Sequence, residues 1–207
     1  MTRRHTLKTI ASGLTWAGAV AVFGSSLAGC SADKPKFHGI DITGADYAKD
    51  FQLTDFDGQP RALADFRGKA VVVFFGFTQC PDVCPTTLNE MARVKQLLGA
   101  DAGKLQVLFI SVDPERDTPE VLKAYMGSFD PTFLGLYAGS PERLAQLAKD
   151  FKVYYKKVEG KTPTRYSMDH TAASYIYDPQ GRLRLYSRYG SAPESVAEDI
   201  RWLLKGA

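Results

Sequence analysis

The sequence predicts a single α/β domain. Two uninterrupted apolar runs, Ala70 to Phe77 and Leu105 to Val112, are the right length for strands buried on both faces. Helix-period stretches begin at Pro85, Pro119, Pro141 and Pro193. The chain has 207 residues, 44% of them apolar, which suits one domain with a substantial core.

Phe51-Gln52-Leu53-Thr54 alternates and reads as a strand, Asp57-Gly58 as a hairpin turn, and Arg61-Ala62-Leu63 as the return strand. Arg67-Gly68-Lys69 turns the chain into the buried run that ends at Phe77. From Pro85 a helix carries Leu88, Met91, Lys95 and Leu98 at helical spacing, with Val94 and Leu97 broadening the face, and Gly99 stops it. After the second buried run, Asp117-Thr118-Pro119-Glu120 starts a helix that buries Val121, Leu122, Tyr125 and Met126. Phe133 to Tyr137 is a short strand, and Ser140-Pro141-Glu142 opens a helix with Leu144, Leu147 and Ala148 on one face. Val153 to Val158 reads as a strand, Glu159 to Met168 as a polar loop. Ala172 to Tyr177 and Leu183 to Ser187 form a hairpin about Asp178-Pro179-Gln180-Gly181. Val196, Ile200, Leu203 and Leu204 line the last helix. A strand–helix–strand unit followed by a hairpin and a terminal helix is a thioredoxin-like layout, here with an N-terminal β-hairpin extension.

The first 29 residues carry Arg3, Arg4 and Lys8 and no acid, then a mildly apolar stretch interrupted by glycines. They read as a signal peptide. Leu27-Ala28-Gly29-Cys30 resembles a bacterial lipobox, cut before Cys30, whose thiol is then lipidated. Arg3-Arg4 also looks like a twin-arginine export signal. The expected organisation is therefore a signal peptide at 1–29, a lipidated tether and lead-in at 30–50, and the folded domain at 51–207, on the periplasmic side of a bacterial membrane. Without the signal the 26 basic residues fall to 23, equal to the acids. A neutral domain with no basic tract is not a nucleic-acid binder.

With Cys30 taken by lipid, only Cys80 and Cys84 remain. They stand at the carboxyl end of a buried strand, where ligand chemistry gathers in α/β sheets, and at the entrance of a helix whose dipole favours thiolates. A disulfide between them would close too short a loop to stabilise the fold much. The pair suits holding a soft metal, exchanging a disulfide or attacking a peroxide, with packing as the plain alternative. Two thiolates rarely complete a metal site. Of the two remaining histidines, His38 lies in the lead-in and reads as a surface residue, whereas His170 precedes the hairpin strand, at the end of the layout where the cysteines lie.

Phe75-Gly76-Phe77-Thr78-Gln79-Cys80-Pro81-Asp82-Val83-Cys84-Pro85 resembles the Cys-Pro-x-x-Cys-Pro signature of the Sco/SenC family of copper-binding assembly proteins. Ser111-Val112-Asp113-Pro114-Glu115-Arg116-Asp117-Thr118-Pro119 and Asp169-His170-Thr171, followed by Asp178-Pro179 and Gly181, resemble its other two motifs. The resemblance runs over about residues 50–205. It implies one copper, Cu(I) or Cu(II), held by Cys80, Cys84 and His170. It also implies a role in maturing the binuclear copper centre of cytochrome c oxidase, by giving copper to subunit II or by keeping its cysteines reduced. Gln79 stands where many members carry a histidine, and Thr171 where thioredoxins carry a proline.

Asp113 and Asp169 are candidates for orienting the ligands from behind, each with a plainer reading: a turn residue for Asp113, an outward-facing carboxylate for Asp169. Met168 could reach a copper axially but is more simply packing. Arg116, Asp117 and Thr118 read as a helix cap and its ion partner. The rivals to a metallochaperone are a thiol-disulfide oxidoreductase, which needs no histidine, and a copper or redox sensor. Val83-Cys84-Pro85-Thr86 also resembles a peroxiredoxin segment, but Pro81 stands where that chemistry needs a hydroxyl.

Overall fold

The computed structural model describes residues 36–162 and 165–207. The predicted signal peptide and Cys30 lie outside them. In chain order the elements are β1 (Ile40–Asp41), β2 (Gln52–Asp55), β3 (Pro60–Ala62), β4 (Ala70–Gly76), α1 (Val83–Leu98), β5 (Leu105–Ser111), α2 (Pro119–Gly127), β6 (Leu134–Tyr137), α3 (Pro141–Phe151), β7 (Tyr155–Thr162), β8 (Arg165–His170), β9 (Ala173–Tyr177), β10 (Leu183–Arg188) and α4 (Pro193–Leu204). Among the described residues no helix is long and apolar enough to cross a membrane.

Eight strands make one mixed sheet in the order β1-β10-β9-β4-β5-β6-β2-β3. β4, β5 and β6 run parallel; β9 and β10 join on one side and the β2–β3 hairpin on the other, antiparallel throughout. The fold is thioredoxin-like, with the predicted hairpin extension at one edge. Every residue of β4 and β5 is buried, as an unbroken apolar run requires in a strand covered on both sides. Alternation sends Phe75 to one face, against Phe151 of α3 at 5.2 Å, and Phe74 to the other, against Phe109 at 5.9 Å. Cys84 of α1 sits on that second face beside Gly76.

Four expectations are corrected. α1 begins at Val83, two residues before Pro85. Val121 is exposed, on the outer side of α2. The lead-in contains a strand: β1 pairs with β10 through Ile40 and Asp41. Most consequentially, the expected loop at 159–168 is not one. β7 continues to Thr162 and pairs antiparallel with β8, making a separate two-stranded sheet that ends at His170.

Candidate metal centre

Beyond β4 the chain turns tightly, the Cys80 amide donating to the Phe77 carbonyl at 3.2 Å. The buried Asp117 carboxylate fixes this turn from below. It accepts from the Thr78 hydroxyl and the Ser111 hydroxyl, each at 2.6 Å, and from the Thr78 amide at 3.2 Å. Helix α1 then starts with no side-chain cap from Asp82. The Cys80 sulfur takes that place, accepting from the Cys84 amide at 3.4 Å. One of the unsatisfied donors of the first helical turn thus points at a sulfur, where the helix dipole favours a negative charge.

His170 arrives from the other sheet. Its Nδ1 lies 3.1 Å from the Thr171 carbonyl, which fixes the ring with Nε2 turned inward. Nε2 is 3.5 Å from Cys84 Sγ, and the ring stands edge-on to Phe74 and Phe77 with centroids 6.1 and 5.9 Å away. The ligand atoms of Cys80, Cys84 and His170 all lie within 4.8 Å of one another, the one such cluster among the described residues. Two metal–ligand bonds of about 2.3 Å span about 4.6 Å, so a single ion fits between these atoms with little movement. Two sulfurs and an imidazole are the donors that soft and borderline metals prefer, copper and zinc among them.

Both cysteines are free, Cys84 fully buried and Cys80 half-buried. The Cys84 thiol donates to Cys80 and so holds the Cys80 thiol far below its usual range, with His170 and the Asp82 and Cys84 amides adding to the effect. Cys84 is pushed far up, by that same bond and by burial. Without metal the pair is therefore a half-buried cysteine that favours the thiolate and a buried one that favours the thiol. Burial also raises Asp117, although Ser111 and Thr78 donate to it.

The structure brings Cys80, Cys84 and His170 together and treats the other candidates differently. Asp113 is buried at the margin of the site, accepting from Arg116 Nε at 2.5 Å and from the Tyr166 hydroxyl at 2.7 Å. Asp169 is exposed on the opposite side of β8 from Met168 and His170, so it does not orient the histidine; the Thr171 carbonyl does. Met168 is buried in the apolar core, as packing requires. His38 is a surface residue, 3.1 Å from Glu198. Of the expected cap only Thr118 caps α2, accepting from the Val121 amide at 3.3 Å. Asp117 supports the cysteine turn, and Arg116 pairs with Asp113. Sequence reasoning missed Gly76, where a β-carbon would lie 2.7 Å from Cys84 Sγ. A glycine inside an apolar strand was the available signal of a close approach.

The SCO1/SenC family model matches residues 41–205. Over 154 residues the chain is 40% identical to the mitochondrial SCO2 homolog of Bos taurus, covering 73% of this chain and 58% of that one. The chain thus spans about three fifths of the length of this curated relative. Among solved structures, copper-bound ScoI of Bradyrhizobium japonicum is 44% identical with a TM-score of 0.68, covering 74% of this chain and 97% of that one. Apo Sco1 of Thermus thermophilus is 41% identical with a TM-score of 0.71, covering 81% and 97%.

Proposed function

Since this chain belongs to the SCO1/SenC family, we propose that it carries one copper ion on Cys80, Cys84 and His170 and delivers it during assembly of cytochrome c oxidase, with subunit II as the acceptor. The observation that carries this reading is the convergence of two thiols from the turn and helix that follow β4 and an imidazole from the end of β8 on a space the size of one ion. A disulfide exchanger needs only the thiols, whereas a three-ligand copper site needs the imidazole as well. Three donors leave copper room for a further ligand, so an acceptor's thiol can enter before Cys80, the more exposed donor, lets go. Oxidation of the pair to a disulfide removes two ligands and ends binding, which ties copper loading to the redox state of the compartment. The lipobox-like segment supports a membrane anchor at Cys30 and a periplasmic location.

The second reading, a reductant of the acceptor's cysteines, is favoured by one observation. A half-buried, stabilised thiolate backed by a fully buried thiol is the arrangement of an attacking and a resolving cysteine. Copper titration of the reduced protein separates the two. In the delivery reading His170→Ala weakens copper by more than the roughly 10–100-fold lost when a group behind a ligand is removed, and Cys80→Ser does likewise. Mixing the loaded protein with the apo copper domain of subunit II then moves the metal. Copper affinity indifferent to His170→Ala, with rapid disulfide exchange on that domain, establishes the reductant instead.

A further inference from the structure

The three ligands do not share a scaffold. Cys80 lies in the turn between β4 of the eight-stranded sheet and α1, and Cys84 in α1, whereas His170 ends a two-stranded sheet that has no strand pairing with the first. His170 runs within three residues into β9 of the large sheet. Asp113, Glu115 and Arg116 bridge from the connection between β5 and α2 to the small sheet, and of these Arg116 also reaches the cysteine turn. We propose that Arg116 is the positioning residue of the metal centre, setting His170 against the cysteine turn. This inference rests on the three-ligand copper reading above.

Arg116 stands in the connection between β5 and α2, and its planar fork reaches three segments at once. Nε donates to the Asp113 carboxylate at 2.5 Å. Nη1 donates to the Tyr166 carbonyl of β8 at 2.9 Å and to the side-chain oxygen of Gln79, next to Cys80, at 3.1 Å. The guanidinium carbon sits over the Tyr166 ring, 3.5 Å from its centroid, and 5.7 Å from that of Phe77, the ring His170 abuts. Asp113 completes the junction by accepting from the Tyr166 hydroxyl at 2.7 Å. The whole assembly is sheltered: Asp113 is 2% exposed and the Arg116 side chain 13%. A charge pair sequestered to this degree needs several hydrogen bonds to repay its desolvation, and here they run to the two segments that bear the ligands. Tyr166 and His170 share one side of β8, so fixing the first fixes the line along which the second projects. A lysine has the charge but not the fork, and cannot serve Asp113, Gln79 and Tyr166 together.

The test is a copper titration of the reduced full chain, with the Cu(II) spin-resonance spectrum read for nitrogen coupling, on wild type, His170→Ala, Arg116→Met and the double variant. Arg116→Met should weaken copper by about 10–100-fold, the range for groups that orient ligands, and should lose or broaden the nitrogen coupling. Its far-UV dichroism and the titre of its two thiols should stay those of wild type. In the His170→Ala background the same substitution should cost nothing further, because there is no imidazole left to position. Should Arg116→Met not fold, Arg116→Lys carries the comparison, with a smaller loss and the same non-additivity. Wild-type affinity with intact nitrogen coupling in the Arg116 variants overturns the inference alone, as does a loss that adds in full to that of His170→Ala. Copper binding indifferent to His170→Ala overturns the three-ligand reading and the inference with it.

Discussion

A β-carbon built on Gly76 would lie 2.7 Å from Cys84 Sγ and 2.7 Å from the edge of the Phe109 ring, both fully buried. Neither can retreat, because β5 stands behind one and α1 carries the other. Gly76→Ala should therefore destabilise the fold by about 1–3 kcal/mol, the usual cost of overpacking, and also push the thiol off its position. Urea melts and copper titration of the same sample check both effects, and the copper loss should exceed that of an equally destabilising substitution far from the site. The two cysteines and the histidine were legible as residues because few side chains can do their chemistry. Arg116 and Asp117 were not. Both sit before a helix, where a cap is the ordinary reading, and only the fold shows one of them bonded to Thr78 and the other to Tyr166.

The β2–β3 hairpin shows what sequence can give at the level of an element. Asp57-Gly58 announces the turn, and Asp55 organises it, accepting from the amides of Asp57 and Gln59, each at 2.9 Å, and from Arg61 Nε at 2.7 Å. Burial opposes its charge, but the Gln59 amide, the Arg61 guanidinium and the Asp57 amide outweigh burial and hold the carboxyl below its usual range. A group depressed on folding stabilises the native state at every pH above its unfolded value, and that contribution fades as pH falls through the folded one. The loss thus lies below about pH 4. Asp55→Asn should be less stable than wild type at neutral pH, and the gap should narrow in urea melts taken from about pH 4 to about pH 2. β8 escaped prediction for a physical reason. Tyr166, Met168 and His170 do alternate inward, but Arg165, Ser167 and Asp169 between them are polar and exposed, and the sequence before them, from Glu159, is polar with no apolar periodicity. Such a strand draws its stability from pairing with β7 and from its contacts with Arg116, neither of which a local pattern records.

Across the whole molecule, the sequence showed the parallel centre of the sheet plainly, since burial on both faces writes itself as an apolar run. It did not show how the sheet ends. β1 is two residues long, and its place depends on a side chain some 160 positions away. The buried Asp199 carboxylate accepts from the amides of His38 and Gly39 at 2.9 and 2.8 Å. Asp199→Ala should strand those donors at a cost of about 1–3 kcal/mol locally, speed hydrogen exchange over residues 38–41, and leave copper affinity unchanged. The other end of the sheet is β3, three residues long and led by Pro60, which has no amide to offer. The two margins together present almost no free backbone ladder to a neighbouring chain. At high local concentration the large sheet is thereby guarded against growing by strand addition into cross-β aggregates, even when its thiols carry no metal.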